Sequence, residues 1–217
     1  MSAYCYRYKN GPKRKPAEEI PVSEEEEEKN EIDDKENQKI SRVNNHVYFH
    51  AEVNRGSIFD LITHLKAAQE SCIVTQLRFG LEEVPIYLHI NSFGGSVFDA
   101  MTAIDTILMS KVPIYTIIEG ATASAGTLIS VVGKKRYISP NAYMLIHQLS
   151  SGYWGKMNEM EDEFHNLRML MDRIKHIYKT HAKIPRKELS EILTHDLWWD
   201  SEKCIKFGLV DEIWQNP

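Results

Sequence analysis

The segment of this chain best suited to covalent chemistry is Gly120-Ala121-Thr122-Ala123-Ser124-Ala125-Gly126. It sets one hydroxyl among side chains small enough to let another backbone come close. If the segment opens a helix, the first amides of that helix have no internal partner and can stabilise a developing oxyanion. A serine among alanines and glycines is nevertheless more often a packing residue than a nucleophile. An alcohol also attacks poorly unless a base takes its proton and a third group orients that base. His147, in Met144-Leu145-Ile146-His147-Gln148, and Asp196, in Thr194-His195-Asp196-Leu197-Trp198-Trp199, supply those residue types. Their ordinary readings are a strand-end histidine and a surface carboxylate. Pattern alone does not select these three residues in a chain with nine histidines.

The elements that must position them read as α/β. Val43 to Val53 alternates like a strand, and Ser57 to Glu70 places Ile58, Leu61, Ile62 and Leu65 at helical spacing, with Ser57 as N-cap. Val84 to Ile90 is a short apolar run expected to form a buried strand, and Asn91-Ser92-Phe93-Gly94-Gly95 is a turn by composition. A helix is expected over Ser96 to Ser110 with Ala100, Ile104, Ile107 and Leu108 on one side, then a strand over Val112 to Ile118. Ala121 to Val132 is small and apolar throughout and predicts a buried helix, and Tyr143 to Ile146 predicts a strand that delivers His147. Strand–glycine–helix junctions are thus expected at Gly94-Gly95 and at Gly120, each with free N–H groups at a helix start.

In the last third, Met157, Met160, Phe164, Leu167, Met171, Ile174, Tyr178 and His181 mark a helical stripe of about 3.5-residue period. Such a stripe serves equally to build the chain's own core or to zip against a second subunit. Ile184-Pro185 is expected to end the helix, a shorter one to follow over Arg186 to Leu193, and Cys204 to Ile213 to close with a helix end and a strand.

Four stretches together settle a resemblance: INSFGGSV (90–97), EGATASAG (119–126), ISPNAYMLIHQ (138–148) and FGLVDEI (207–213). In this order and spacing the chain, from about Arg42 to Trp214, resembles the ClpP family, the proteolytic subunits of Clp proteases. The resemblance implies Ser124 as nucleophile, His147 as general base and Asp196 as the residue orienting it. It implies an oxyanion hole from the backbone N–H groups of Gly95 and Ala125, and substrate contacts at Gly94, Gln148, Leu149, Ser150 and Gly152. Gln148 to Gly155 matches the family's handle strand, against which an extended substrate pairs. The helix with the apolar stripe matches the handle helix, where two rings meet. The implied fold is an α/β superhelix of stacked ββα units, related to the crotonases, with a protruding handle of a strand plus a long helix. The implied assembly is a homo-oligomer of two stacked heptameric rings that cleaves polypeptides in a closed chamber. It uses no metal and no organic cofactor; ATP is used only by a partner AAA+ Clp ATPase.

Several features depart from the family. Phe93 stands where the family usually has proline, the interval from Ser124 to His147 is about two residues shorter, and Ser71 to Val84 is longer than the family's loop. Residues 1–40 do not resemble the family's apolar axial loop. Arg7, Lys9, Lys13, Arg14 and Lys15 are followed by eleven acids between residues 18 and 36. With so few apolar side chains this segment cannot offset its ordering entropy, so it is expected to be a disordered extension or a propeptide, with the protease domain over 41–217.

Composition narrows the rest. The net charge of −5 gives no support for nucleic-acid binding, and the broken apolar runs give none for a membrane span. Tyr4 to Tyr8 is too short and too polar for a signal core, so a cytoplasmic location is expected, or the cytoplasm of a plastid or host cell for an organellar or viral member. The scattered Cys5, Cys72 and Cys204 read as buried or free thiols. Against an active endopeptidase, of which a phage-type head-maturation protease is one variant, stand two other functions: a catalytically silent ring subunit and an acyl-CoA enzyme of the crotonase kind.

Overall fold

The computed structural model describes residues 39–215. The charged extension expected over 1–40 lies outside the described residues as far as residue 38; Lys39 and Ile40 already belong to the first strand. The architecture is a mixed α/β fold around one sheet, with strand order β1-β2-β3-β4-β5-β8 and β6 and β7 branching from β4.

The sheet starts as a hairpin. β1 (Lys39–Val43) and β2 (His46–His50) pair antiparallel. The single strand expected over Val43–Val53 is broken because Asn44 turns at φ 55, a left-handed conformation that asparagine tolerates. α1 (Arg55–Phe79) follows. Its N-cap is Asn54 rather than Ser57. Asn54 Oδ1 accepts from the Ser57 amide, while the Ser57 hydroxyl accepts from the Asn54 amide, so Ser57 is the third helical residue of a capping box. The helix runs well past Glu70 and ends at Gly80 with φ 62, so most of the long segment over Ser71–Val84 is helix and not loop.

β3 (Ile86–Ser92) and β4 (Ile114–Ala123) are the central parallel pair, separated by α2 (Val97–Leu108). α2 buries Ala100, Ala103, Ile104 and Ile107; Leu108, expected on that side, is exposed because a 3.6-residue turn carries it round to solvent. β4 is longer than expected and takes in Ala121 to Ala123, so the helix expected from Ala121 begins only at Ala125. Gly120 is therefore not a strand–helix junction. It is a bend inside β4, at φ 60, where a Cβ would meet Asn91 Nδ2 at 3.0 Å. At this bend the register jumps from Ile90–Ile118 to Ser92–Thr122, so Glu119, Gly120 and Ala121 bulge opposite Asn91. The bend also changes β4's outer partner. Tyr115 to Ile118 pair with β5 (Lys135–Ile138), and Ala121 to Ala123 pair with β6 (Tyr143–Leu145).

α3 (Ala125–Val131) is buried along its whole length. The C-terminal part contains α4 (Met157–His181), α5 (Arg186–Ile192), β7 (Trp198–Trp199), α6 (Ser201–Lys206) and β8 (Glu212–Ile213). β7 runs antiparallel to β6, and β8 parallel to β5. The apolar stripe of α4 divides. Ile174 and Tyr178 join the core, whereas Met157, Met160 and Phe164 stay exposed. Gln148 to Gly155, matched above to a handle strand, forms no strand in the single chain. Its Gln148 N–H donates to Leu193 O at 2.7 Å.

Val47, Phe49, Ile86, Leu88 and Ile90 point from the sheet into the main core with Leu61, Leu65, Ile104 and Leu128 of the helices. Arg136, almost fully buried, ties three segments together. It donates to Asp211 and to the carbonyls of His181 and Gly208. Cys72 and Cys204 are free and buried; burial pushes the Cys204 thiol up to about 12, and Cys5 lies outside the described residues. No helix among the described residues is long and apolar enough to cross a membrane.

Candidate active site

Ser124 is the hinge between β4 and α3. Its backbone sits at φ 52 and ψ −126, an unusual conformation for a residue with a side chain, of a kind that costs about 1–3 kcal/mol and collects at functional sites. The sharp elbow projects the side chain from the sheet's end instead of laying it along a strand. Two contacts impose the turn. The Ser124 amide donates to Leu145 O at 2.9 Å, and the Ser124 carbonyl accepts from Thr127 N–H at 3.0 Å and Thr127 Oγ1 at 2.6 Å. Thr127 is held in turn by the buried Tyr178 hydroxyl at 2.7 Å.

The bond to Leu145 also sets the spacing to the base, because His147 follows Leu145 by two positions. Leu145 pairs with Trp198 across the antiparallel β6–β7 ladder. Continuing that register for two residues beyond the pair puts His147 opposite Asp196. The side chains meet there, with Nδ1 of His147 3.0 Å from Oδ1 of Asp196. The histidine side chain is 19% exposed and the aspartate 62%, so water reaches the carboxylate. The Ser124 hydroxyl makes no hydrogen bond to His147 in this structure, although both line one cleft.

The backbone of Gly95 and Ala125 borders the same cleft. Gly94 O accepts from Val53 N at 2.7 Å, and Ser96 N donates to Val53 O at 2.7 Å. With its neighbours bonded to Val53, Gly95 itself lines the cleft beside Ser124 and Ala125. Ala125 N–H is a first-turn amide of α3, without an intrahelical acceptor. Only glycines fit this loop. Gly94 lies at φ 98, where a Cβ would stand 2.6 Å from Ser124 Cβ, and Gly95 at φ 140 packs against Val53. Phe93 keeps this glycine turn without proline, and its ring meets Trp198 edge-on at 6.2 Å.

The cleft brings together Ser124, His147, Gly95, Ala125, Gln148, Leu149 and Ser150 of the expected residues. Asp196 reaches it through His147. Gly94 packs behind Ser124, and Gly152 stands in open space. Of the segment expected to pair with substrate, the Gln148 amide is taken by Leu193 O and the Leu149 amide faces Met171 Sδ at 3.4 Å. Sequence reasoning missed the walls Val97, Leu128, Ile174 and Tyr178. Ile174 and Tyr178 were visible as members of the apolar stripe, but nothing in one dimension said that this part of the stripe faces Ser124.

Missed as well was a polar chain on the opposite face of the sheet. His46 Nδ1 lies 2.9 Å from His89 Nε2, and His89 Nδ1 lies 2.7 Å from Glu119 Oε1. Glu119 Oε2 is 3.4 Å from His50 Nε2. The neighbouring His50 and His89 outweigh burial and hold the Glu119 carboxyl at about 2, although His50 Nε2 itself has no hydrogen-bond partner.

A family model described as Clp protease matches residues 41–217. The chain is 30% identical over 156 residues to an ATP-dependent Clp protease proteolytic subunit of Deinococcus radiodurans, covering 70% of this chain and 76% of that protein. A protein of the same description from Streptococcus mutans is 34% identical over 135 residues, covering 60% of this chain and 69% of its own length.

Proposed function

From the premise that the chain belongs to the Clp protease family, we propose that it is a serine endopeptidase cleaving unfolded polypeptides through Ser124, His147 and Asp196. The observation that carries the proposal is the convergence on one cleft of a hydroxyl on a strained elbow, an imidazole held by a carboxylate, and the backbone of Gly95 and Ala125. Asp196 accepts the Nδ1 proton of His147 and so leaves the Nε2 lone pair to receive the proton of Ser124. Ser124 Oγ attacks the scissile carbonyl. The Gly95 and Ala125 N–H groups hold the resulting oxyanion, and the histidine then protonates the departing amine. Water, deprotonated by the same histidine, hydrolyses the acyl-enzyme. Every step uses side chains and backbone of this chain; no metal or organic cofactor takes part.

The walls of the cleft, Val97, Leu128 and Ile174, suit an apolar substrate side chain. The exposed Met157, Met160 and Phe164 on α4 suit a second copy of the chain, as in stacked rings. Such an assembly would be fed by an AAA+ Clp ATPase; the names of both relatives, which describe ATP-dependent protease subunits, support that partnership. A second reading, a catalytically silent ring subunit, draws on the missing Ser124–His147 hydrogen bond. Catalytic hydrogen bonds are often long without substrate, however, so this geometry does not exclude the enzyme.

Fluorophosphonate labelling of the full chain separates the two. The active enzyme is expected to take up the probe at Ser124, and Ser124→Ala to abolish both labelling and cleavage of a fluorogenic peptide while preserving assembly. Assembly without labelling of the unmutated chain would leave the silent subunit. Peptide cleavage that persisted in Ser124→Ala would remove the triad.

A further inference from the structure

His89 is buried on β3 with both ring nitrogens engaged. Because Glu119 is anionic, the His89 nitrogen facing it, Nδ1, must carry the proton. A neutral His89 then offers Nε2 as an acceptor, so the proton between the two histidines belongs to His46 Nδ1. The chain of donors therefore has one direction, from His46 through His89 to Glu119, and His50 Nε2 stands 3.4 Å from the second carboxylate oxygen without a hydrogen bond to it. Tyr48 stacks on His89 at 4.4 Å and Tyr87 on His46 at 4.7 Å, which keeps the rings in plane with their partners.

The position of this chain matters more than its composition. Glu119 is the first residue of the three-residue bulge at which β4 bends, and β4 then runs directly into Ser124. β3 runs from His89 into the Gly94-Gly95 turn. The His89–Glu119 bond thus joins, just before the bend, the two strands that end in the nucleophile and in the oxyanion amide. Below the bend the strands are joined again by Thr122 Oγ1 donating to Ile90 O at 3.1 Å.

We propose that His46, His89 and Glu119 form a protonation-sensitive clamp that positions the Ser124 elbow against the Gly94-Gly95 turn. The proposal rests on the catalytic function above and adds a means of regulating it. One added proton is balanced by the Glu119 carboxylate. A second, arriving at His46, is not. Burial, and then the charge on His89, lower the His46 pKa from its ordinary 6.5, while Glu119 pulls weakly the other way. A histidine whose folded value is lowered binds protons more readily in the unfolded chain. The clamped arrangement therefore loses stability as pH falls from 6.5 through the folded value.

Other groups on this face do not short-circuit the chain. Lys39 stands opposite His50 in the β1–β2 register, and Lys135 lies over the Tyr115 ring at 5.3 Å. Tyr115 donates to Glu83, and Tyr137 pairs in register with Glu212. None of these side chains hydrogen-bonds to the clamp.

The test follows the fluorophosphonate labelling rate against pH. In the unmutated chain the acid limb is expected to have a slope near two, one proton more than in a chain without the clamp. His46→Gln keeps a donor for His89 and removes the titrating ring. Its rate at pH about 8 should stay within about twofold, and its acid slope should fall to one. Glu119→Gln should lower kcat by about tenfold at every pH with KM held within about twofold, as expected of a misaligned centre. A slope of one in the unmutated chain, or a slope of two persisting in His46→Gln, overturns the clamp. If the unmutated chain is never labelled, the catalytic function fails instead, and hydrogen exchange over residues 119–126 decides the clamp. Faster opening at pH about 5.5 than at about 7.5, abolished in His46→Gln, supports it; opening that does not respond to pH refutes it.

Discussion

Asp196→Ala is expected to lower kcat/KM by between about 5- and about 1000-fold, short of the about 10⁴-fold loss known for a buried triad aspartate. The carboxylate lies 3.0 Å from His147 Nδ1, yet its side chain is 62% exposed. Its work is to stabilise the imidazolium that forms as Ser124 gives up its proton. With charge centres about 4 Å apart, that attraction is about 1 kcal/mol in fully aqueous surroundings and about 4 kcal/mol at the effective dielectric of a protein surface. At about 1.4 kcal/mol per decade of rate, these limits give the range. Because the pair is solvated, raising ionic strength should slow the unmutated enzyme slightly and leave Asp196→Ala unaffected. The assay is steady-state cleavage of a fluorogenic peptide at two salt concentrations, with the assembly state held constant. Unchanged kcat/KM would mean that Asp196 does not orient the base. A loss as deep as that of Ser124→Ala would mean that exposure does not weaken the pair, and the electrostatic reasoning would fail.

Two further substitutions probe the scaffold. Gly94→Ala places a Cβ 2.6 Å from Ser124 Cβ at φ 98, so labelling of Ser124 should fall more than about 100-fold and stability by about 1–3 kcal/mol. Labelling at the unmutated rate would show that the loop is not shaped by this contact. Asp211→Ala strands the guanidinium of Arg136, which is 8% exposed and gives Asp211 bonds of 2.6 and 3.0 Å from its side chain. Breaking a fully buried pair costs about 3–5 kcal/mol, and the low end is expected here because the Asp211 side chain is 36% exposed. Denaturant unfolding at fixed protomer concentration measures it. Burial pushes the Asp211 carboxyl up, but the Arg136 hydrogen bonds and charge outweigh it and hold it below 3.8. Its stabilisation is therefore complete above pH 3.8 and is lost as pH falls through the lower folded value, an acid limb that Asp211→Asn should remove.

The candidate catalytic residues were legible through motif resemblance more than through pattern. Ser124, His147 and Asp196 carry no period, and in isolation each has an ordinary structural reading. Helices with a clear apolar stripe, α2 and the second half of α4, were found close to where they lie. Errors gathered where backbone conformation overrides composition. Asn44 breaks what alternation presents as one strand. Small residues from Ala121 to Ala123 suit a buried helix or a buried strand equally, and pairing with β3 and β6 decides for the strand. Ser57 has the right type for an N-cap, but Asn54, three residues earlier, takes the position. Gln148 to Gly155 has no ladder partner within the chain, and a ladder needs two strands.

By itself the sequence determined the family, the alternating α/β order, the three candidate catalytic side chains and the glycine loop that no other residue type can occupy. Those depend on residue type and local spacing, which a linear text records. The tertiary structure alone decided that Ser124 sits on a strained elbow, that the β6–β7 register sets His147 opposite Asp196, and that His46, His89, Glu119 and His50 share one side of the sheet. Each depends on which strand lies beside which and in what register, and a one-residue change of register turns a side chain to the opposite face.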